Sequence, residues 1–202
     1  MPEALSGSEQ RQEMGPQQVS SAPTELHTAR LSLLGPRPDI APLFVASLNR
    51  SLPGLRFIGW AQLERAEDWG RQFIEHDLAM WAQGECLAYY AFEQSSGAYV
   101  GRIDLHSWDF DAPRCEVGYV GDVLCSGRGL MREAVLACVE LAFSLGAARV
   151  QALSEADNQR ALRFAEHALG FAREGLLRNF ERDAQGRLGQ QVMFAACNPA
   201  AR

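Results

Sequence analysis

The sequence predicts one α/β domain whose mixed, mostly antiparallel sheet carries helices on both faces. Three observations support this fold class. Segments of strand period and helix period follow one another in the order β-α-α-β-β-β-α-β-α-β-β. The three central strands form a meander, and a glycine-containing turn leads from the last of them into a long helix. With 202 residues, the chain supports one substantial core and is too short for two ordinary domains.

The N-terminal segment, residues 1–24, is rich in Gln, Ser, Pro, Glu and Gly and contains almost no large apolar side chains. Such a segment cannot bury enough apolar surface to offset its ordering entropy, so we expect a disordered tail followed by one folded domain over 25–198. Ordered structure should begin near Leu26. Polar and apolar residues alternate over 27–34, which predicts the first strand.

Two helices are expected after this strand. The first should begin after Asp39, whose side chain can cap it, and end before the irregular stretch 52–54. The second lies within 64–83, where large apolar residues recur at helical spacing: Trp69, Phe73, Ile74, Leu78 and Trp81.

The meander occupies the middle of the chain. Residues 86–93 and 99–106 flank the turn 94–97 and predict a hairpin, and residues 114–123 predict the next strand.

The C-terminal half alternates helices and strands. A long helix is expected over 129–145, a strand over 149–154, and a helix that opens at Asp157-Asn158. Two further strands should flank the turn at 183–187.

Composition and charge exclude several classes of function. No apolar run approaches the ~20 residues of a membrane-spanning helix, so we expect a soluble protein. Acidic and polar residues follow Met1, which argues against a secretory signal peptide and for the cytoplasm. The formal net charge of −6 disfavours nucleic acid as a partner, because phosphate backbones select basic surfaces. A cationic substrate such as an amine fits this charge.

The cysteines predict neither disulfides nor a metal site. They are odd in number and scattered, with no spacing typical of metal ligands, and we expect reduced, mostly buried thiols: Cys86, Cys115, Cys125, Cys138 and Cys197.

The most informative stretch is 117–133, where a strand passes through a glycine-containing turn into a helix N-terminus. Gly127 and Gly129 lack Cβ atoms, so the backbone can approach an anion, and the unpaired N–H groups of the first helical turn point at it. The pattern predicts a phosphate cradle, to which Arg128 and Arg132 add positive charge.

Two other phosphate motifs do not match this stretch. A Walker loop ends in Gly-Lys-Ser/Thr, which is absent, and the dinucleotide fingerprint requires a third glycine where Arg132 stands. From these residues alone, a strand-to-helix turn that uses glycines without binding a ligand remains an alternative.

Seven segments stand in a fixed order over about 26–194: Leu26-x-Thr28-x-Arg30-Leu-x-Leu33, Gly101-Arg-Ile, Glu116-Val-Gly-Tyr119, Gly127-Arg-Gly-Leu-Met-x-Glu-Ala134, Ala142-Phe143 with Leu145-Gly146 and Arg149-Val150, Asn158, and Leu169-Gly170-Phe171 with Glu174-Gly175. In this order and spacing they resemble the GNAT acetyltransferases, specifically the subgroup of ribosomal-protein N-terminal alanine/serine acetyltransferases. The chain departs from the family pattern at Leu124, where Gln or Arg is usual, and at Ala161, where Ser is usual.

The resemblance implies a GNAT-like fold and acetyl-CoA as the co-substrate, with no metal. The strands at 116–124 and 149–154 should splay apart and hold the pantetheine arm between them. Asn158 should contact that arm or cap its own helix, and both roles remain open. The backbone amides expected to hold acetyl-CoA belong to Val123, Leu124, Cys125, Ser126, Gly127, Arg128, Gly129, Leu130 and Met131.

The resemblance also suggests a catalytic base. Glu116 is the first candidate, by its position at the start of the splayed strand, with a surface pairing to Arg114 or Arg102 as the alternative. Glu181 is the second candidate.

Other residues near the presumed cleft have weaker claims. Asp104 and His106 are more easily read as structural residues than as catalytic groups. Phe57 and Trp60, in the connection between the first two helices, either line the acceptor site or pack in the core. Cys125 lies beside the loop, but direct transfer gives it no nucleophilic role.

The expected reaction is direct acetyl transfer from acetyl-CoA to a primary amine, with a protein N-terminal α-amine as the acceptor. Two alternatives remain open at this stage: an enzyme that acetylates a small-molecule amine, and an acetyl-CoA-binding sensor module without turnover. We expect neither a nucleic acid nor a membrane as partner. The sequence does not determine the oligomeric state, for which a homodimer is the common case.

Overall fold

The computed structural model describes residues 14–182 and 186–201. Within these residues, eight strands form one sheet: β1 Glu25–His27, β2 Leu31–Leu34, β3 Leu87–Glu93, β4 Tyr99–Asp109, β5 Arg114–Gly121, β6 Arg149–Glu155, β7 Ala172–Arg182 and β8 Leu188–Cys197. Their order across the sheet is β1-β2-β3-β4-β5-β6-β8-β7. Neighbouring strands are antiparallel, except that β5 and β6 are parallel. The predicted mixed, mostly antiparallel sheet is confirmed.

Helices cover both faces of this sheet. The described residues form α1 Pro16–Ser20, α2 Ala41–Ser51, α3 Glu67–Gln83, α4 Leu130–Ser144 and α5 Gln159–Arg163. A π-helical turn over Phe164–Ala168 continues α5.

The alternation of strand β3 shows why two cores form. Its side chains point to opposite faces in turn, so Leu87 and Tyr89 join the core under α4, whereas Ala88 and Tyr90 join the core under α2 and α3. All four are fully buried. A strand that is apolar on both faces is typical of a sheet covered on both sides.

The segment before β1 is part of the fold, contrary to the expected disordered tail. Helix α1 packs against α3, Val19 is fully buried, and Met14 and Ala22 belong to the same core. The indole Nε1 of Trp81 donates a hydrogen bond to the Ser20 carbonyl oxygen at 3.2 Å. The few apolar residues of 14–24 are therefore buried in this core. The remainder of the predicted tail, residues 1–13, lies outside the described residues.

The predicted first strand is two strands. The chain reverses between β1 and β2 because Thr28 forms a tight turn: its N–H donates to the Leu31 carbonyl at 2.9 Å, and its hydroxyl accepts the Leu31 N–H at 3.0 Å. Alternation of polar and apolar residues continues through such a turn, so periodicity alone could not reveal it.

Helix α2 begins differently from the prediction. A 3-10 turn over Pro38–Ile40 precedes it, and the N-cap residue Ile40 makes no side-chain cap bond. Asp39 instead accepts a hydrogen bond from Arg37 at 3.2 Å. The predicted Asp39 cap is wrong, because the added turn moves this side chain away from the first free amides of α2.

Candidate active site

The sheet opens between β5 and β6. The two strands pair only at Arg114↔Arg149, Cys115↔Val150 and Glu116↔Gln151. Beyond these residues β5 stays paired with β4 as far as Gly121, and β6 stays paired with β8 as far as Glu155. The two strands diverge, so a gap opens just after Glu116.

A cavity of about 510 Å³ lies at the wide end of this gap. It is bounded by the end of β5, the loop before α4, the start of α4, α5 with its π-helical turn, and the segment after α2, which contributes Gly54, Leu55 and Ile58. The loop and helix residues that line it are Cys125, Ser126, Gly127, Gly129, Met131, Arg132, Asn158, Arg160, Ala161, Arg163, Phe164 and Ala168. Of the residues predicted to bind the co-substrate, Val123, Leu124, Arg128 and Leu130 do not line it.

The first amides of the predicted cradle already have partners within the chain. The Val123 N–H donates to Ser51 Oγ at 3.1 Å, and the Leu124 N–H donates to Asp122 Oδ1 at 2.9 Å. The Cys125 and Ser126 N–H groups donate to carbonyl oxygens of the same 3-10 turn. These bonds leave the part of the cradle from Gly127 onwards to bind a ligand.

The two glycines of the loop both adopt left-handed backbone conformations, with φ of 76° at Gly127 and 73° at Gly129. Helical bonding in α4 begins with the Glu133 N–H, which donates to the Gly129 carbonyl at 3.1 Å. The N–H groups of the first helical turn therefore have no partner in the preceding turn, and the helix dipole adds partial positive charge there. This end of α4 is suited to a phosphate group.

Hydrogen bonds from the β1–β2 turn hold the loop before α4 in place. The Glu133 carboxylate accepts hydrogen bonds from the Thr28 hydroxyl at 2.6 Å, the Arg30 N–H at 2.9 Å and Arg30 Nε at 2.6 Å. Arg30 also donates to the Arg128 carbonyl at 3.1 Å. Burial opposes ionisation, but these hydrogen bonds outweigh it and hold the pKa of Glu133 below its usual range. The β1–β2 turn is thereby joined to the loop.

The arginines around the cavity differ from the predicted pair. Arg128 points away and pairs with Glu93. Arg132 does line the cavity, and its Nε donates to the Ala168 carbonyl at 2.7 Å. Arg160 and Arg163 on α5 line the cavity too, although neither was among the predicted ligands. Their signal was the basic run Gln159-Arg-Ala-Leu-Arg163 directly after Asn158.

Glu116 lies at the narrow end of the gap, on the sheet face opposite to the core side chains Cys115 and Val117. It is half-buried, and this burial raises the pKa of its carboxyl. His106 and a hydrogen bond with Gln151 act in the opposite direction. A carboxylate with a raised pKa is a better base than one in water.

Two further carboxylates lie close enough to act on Glu116. Asp104 and Glu181 both raise its pKa through their negative charge. The first and second candidate bases, Glu116 and Glu181, are therefore within electrostatic reach of each other, although the two residues come from different strands. The two arginines suggested as surface partners of Glu116 pair with other carboxylates. Arg114 pairs with Asp109 at 2.9 Å, and Arg102 pairs with Asp77 at 2.7 Å.

A buried ionic network holds Asp104, which lies on the same sheet face as Glu116 on the neighbouring strand. Arg102 donates to Asp104 Oδ1 at 2.6 Å and, through two nitrogens, to both oxygens of Asp77. The Tyr90 hydroxyl donates to Asp77 Oδ2 at 2.7 Å. On the other side, His106 Nε2 lies 3.6 Å from Asp104 Oδ2. The network connects α3 to the neighbours of Glu116 through side chains with defined partners.

Comparison with known proteins identifies the domain. Residues 30–172, more than half of the chain, match the family model described as an acetyltransferase (GNAT) domain. The chain belongs to the GNAT acetyltransferase family. Among curated relatives, the uncharacterized N-acetyltransferase p20 of Bacillus licheniformis is 29% identical over 121 residues. These residues span 59% of this chain and 66% of that relative, slightly less than two thirds of its length.

Solved structures share the fold of this GNAT domain. The microcin C7 self-immunity acetyltransferase MccE, in complex with acetyl-CoA and AMP, matches with a TM-score of 0.79 at 18% identity, over 89% of this chain and 99% of that chain. The ribosomal L7/L12 α-N-protein acetyltransferase RimL, in complex with coenzyme A, gives 0.76 at 19%, over 89% and 99%. The ribosomal-protein-S5-alanine acetyltransferase of Vibrio fischeri gives 0.74 at 16%, over 89% and 100%.

The cavity beside α4 has the features that the co-substrate of a GNAT domain requires. Left-handed glycines and a free helix N-terminus suit a diphosphate such as that of acetyl-CoA, and the unpaired edge of β5 leaves backbone groups open along the gap. Asn158 both lines this cavity and caps α5, since its Oδ1 accepts the Ala161 N–H at 3.2 Å. No group of three or more His, Cys, Asp or Glu side chains suited to a metal occurs among the described residues.

A second cavity, of about 830 Å³, lies on the other side of the segment that joins α2 to α3. Phe57 and Glu181 both line it. Trp60 does not; it packs in the core against Phe73, with ring centroids 4.9 Å apart, and against the rings of Phe44 and Trp69. Of the two alternatives that the sequence left open, core packing holds for Trp60, whereas Phe57 lines a cavity.

Cys125 and Tyr119 also line the first cavity. Cys125 is buried, and burial raises the pKa of its thiol, which donates to the Tyr99 carbonyl at 3.5 Å. This protonated thiol is a poor nucleophile. Tyr119 lines the cavity beside Phe164, with ring centroids 5.2 Å apart, and burial raises its pKa to about 12.

No helix of the described chain is long and apolar enough to cross a membrane.

Proposed function

We propose that this GNAT domain transfers an acetyl group from acetyl-CoA directly to a primary amine, and that the acceptor is the α-amine of a protein N-terminus. The observation that carries the proposal is the gap between β5 and β6. Its wide end meets the loop at Gly127 and Gly129, and its narrow end meets Glu116. The start of the cavity wall, Tyr119, is three residues from Glu116 on β5, or ~10 Å of extended strand.

Each part of the site has a distinct role in this proposal. The amides from Gly127 to Met131 and the adjoining arginines bind the diphosphate, and the free edge of β5 binds the arm. Acetyl-CoA supplies the thioester that the amine attacks; the C–N bond forms as the C–S bond breaks, and coenzyme A leaves as a thiolate that takes a proton from water. Glu116 accepts the proton of the amine, either directly or through water, because its raised pKa favours protonation. The buried thiol of Cys125 takes no part in the transfer.

The α-amine is proposed as the acceptor because it loses its proton more easily than lysine. Its pKa is about 7.7–8.0, against about 10.4 for the lysine side chain. A site with one half-buried carboxylate as its base suits the more acidic of these two amines. The similarity in fold to RimL and to the ribosomal-protein-S5-alanine acetyltransferase supports the same choice.

A small-molecule amine is the second candidate. The cavity of about 830 Å³ has room for a compact ligand, and its lining carries both arginines and carboxylates, including Arg56, Arg182, Asp157 and Glu181. The similarity in fold to MccE, which was solved with AMP, supports this candidate. A non-catalytic sensor module is the third.

One experiment separates the three candidates. The protein is incubated with acetyl-CoA and with a peptide that has a free N-terminus, its N-blocked lysine-containing counterpart, or a panel of small amines, while free thiol release is followed. We expect acetylation of the free N-terminus, located by mass spectrometry. Modification of lysine or of a small amine alone rejects the proposed acceptor. Coenzyme A binding without thiol release under any condition identifies a sensor module.

We also propose a cytoplasmic location and a homodimeric state. The five cysteines are all unpaired, as is usual for proteins in a reducing compartment. Size-exclusion chromatography with light scattering measures the oligomeric state directly.

A further inference from the structure

Arg160 reaches across the cavity from α5 to the opposite wall. Its guanidinium donates to Ser126 Oγ at 3.0 Å, in the loop immediately before Gly127. The same guanidinium lies against the segment after α2, where a Cβ placed on Gly54 would be 3.7 Å from its Nη1. Arg160, Ser126 and Gly54 all line the cavity, so this one side chain bridges three of its walls.

The charge of Arg160 has only a neutral partner at this position. None of the ion pairs between described residues includes Arg160, and the Ser126 hydroxyl is its hydrogen-bond acceptor. The acidic residue of the cavity wall, Asp122, is occupied by Arg50 at 3.1 Å and by the Leu124 N–H. A guanidinium binds a carboxylate or phosphate more strongly than a hydroxyl, and often through two bonds.

We propose that Arg160 is a side-chain ligand of the diphosphate of coenzyme A, and that it exchanges Ser126 Oγ for a phosphate oxygen when the co-substrate binds. This inference rests on the proposed function. A diphosphate held by the amides from Gly127 onwards lies next to Ser126, where the guanidinium already is. Arg132 is less available for this role, because its Nε is bonded to the Ala168 carbonyl.

The experiment measures binding rather than turnover. Calorimetry gives the affinity of the full chain for coenzyme A and for 3′-dephospho-coenzyme A, and displacement gives the affinity for pantetheine, which has no phosphate. Arg160→Gln removes the charge, and Arg160→Lys retains it. Arg173→Gln, at an exposed position on β7, is the matched control. Ser126→Ala removes the competing hydroxyl.

We expect Arg160→Gln to weaken coenzyme A and 3′-dephospho-coenzyme A binding equally, by about tenfold or more, since a charge-assisted hydrogen bond is lost. Pantetheine affinity should not change. Arg160→Lys should recover part of the loss, and Ser126→Ala should retain or increase affinity. A loss confined to coenzyme A would mean that Arg160 contacts the 3′-phosphate, and it would overturn the assignment. An equal loss for pantetheine, or no loss at all, would also overturn it.

The two proposals fail in distinguishable ways. If the wild-type chain binds coenzyme A but acetylates no amine, the proposed function is wrong while the role of Arg160 is still measured. If the wild-type chain does not bind coenzyme A, both are wrong.

Discussion

Glu116 owes its chemistry to its position where the pairing of β5 and β6 ends. It lies on the face that also carries Asp104 and His106, so charges of both signs act on one half-buried carboxyl. Burial is the largest of these effects and raises its pKa. A raised pKa means that the basic form appears only as the pH rises through that value. The rate should therefore increase with pH over this range.

The first prediction concerns this carboxyl. Glu116→Gln should lower kcat by about 100-fold or more, because general base catalysis is lost, and should leave coenzyme A affinity nearly unchanged. The acid limb of the pH–rate profile should disappear, since Gln does not titrate. Steady-state kinetics across pH and calorimetry check both parts. If the acid limb persists in the variant, the titrating base is another group, with Glu181 as the next to test.

The second prediction concerns the space that Asp104 occupies. A Cβ on Gly118 would lie 2.9 Å from Oδ1 and 3.0 Å from Oδ2 of Asp104, and Arg102 fixes this carboxylate by donating to its Oδ1 at 2.6 Å. Gly118→Ala should therefore lower the free energy of unfolding by about 1–3 kcal/mol, as is usual for overpacking. Urea denaturation measures this change. Gly175→Ala, where a Cβ meets nothing within 4 Å, is the control. Equal effects at the two positions would contradict this explanation.

At the scale of elements, the loop before α4 divides into two parts with different tasks. Its first part, the 3-10 turn Val123–Cys125, is capped by Asp122 and tied to α2 by Ser51. Its second part runs through two left-handed glycines into the helix. Arg30 fixes this second part by donating hydrogen bonds to the Glu133 carboxylate and to the Arg128 carbonyl oxygen. The backbone amides of this part are therefore available to a ligand.

The third prediction tests this loop. Gly129→Glu should weaken coenzyme A binding by more than about tenfold, because it strains a left-handed position and places negative charge beside the diphosphate. Calorimetry measures the affinity. Gly97→Glu, at another left-handed glycine in the β3–β4 turn, controls for strain alone. A folded Gly129→Glu variant with wild-type affinity would show that the diphosphate binds elsewhere.

At the scale of the whole molecule, the domain begins earlier than its composition indicates. Helix α1 packs on α3, and its close approach requires the glycine at position 84, where a Cβ would lie 2.2 Å from the Pro16 carbonyl oxygen. Gly84 is also left-handed, with φ of 72°, and ends α3. The N-terminal segment therefore completes the core beside Trp81 and Tyr89.

The fourth prediction follows from this docking. Val19→Ala should lower the free energy of unfolding by about 2 kcal/mol, because Val19 is fully buried. Gln17→Ala, on the exposed face of the same helix, should have little effect. Deletion of residues 1–24 should lower the melting temperature by more than Val19→Ala does. Thermal unfolding measures all three, and an unchanged melting temperature after the deletion would contradict the contribution of α1 to the core and favour the expected disordered tail.

The sequence by itself determined the fold class, the order of the main elements and the place of the glycine-containing turn before α4. These features depend on local patterns: periods of two and 3.6 residues, and glycines where a strand turns into a helix. The long, strongly periodic segments, α3 and α4 among them, were predicted close to their observed bounds. Membership of the GNAT family followed from the spacing of seven segments and is confirmed by the family match.

Only the tertiary structure decided which side chains meet. Trp60 packs in the core rather than beside Phe57, and Arg160 reaches Ser126 across the cavity. Glu133 binds Arg30 across 103 residues of chain. These outcomes depend on contacts between segments far apart in sequence, and no local period encodes them. The physical reason is that a side chain's partner is set by packing geometry, whereas its secondary structure is set mostly by its near neighbours.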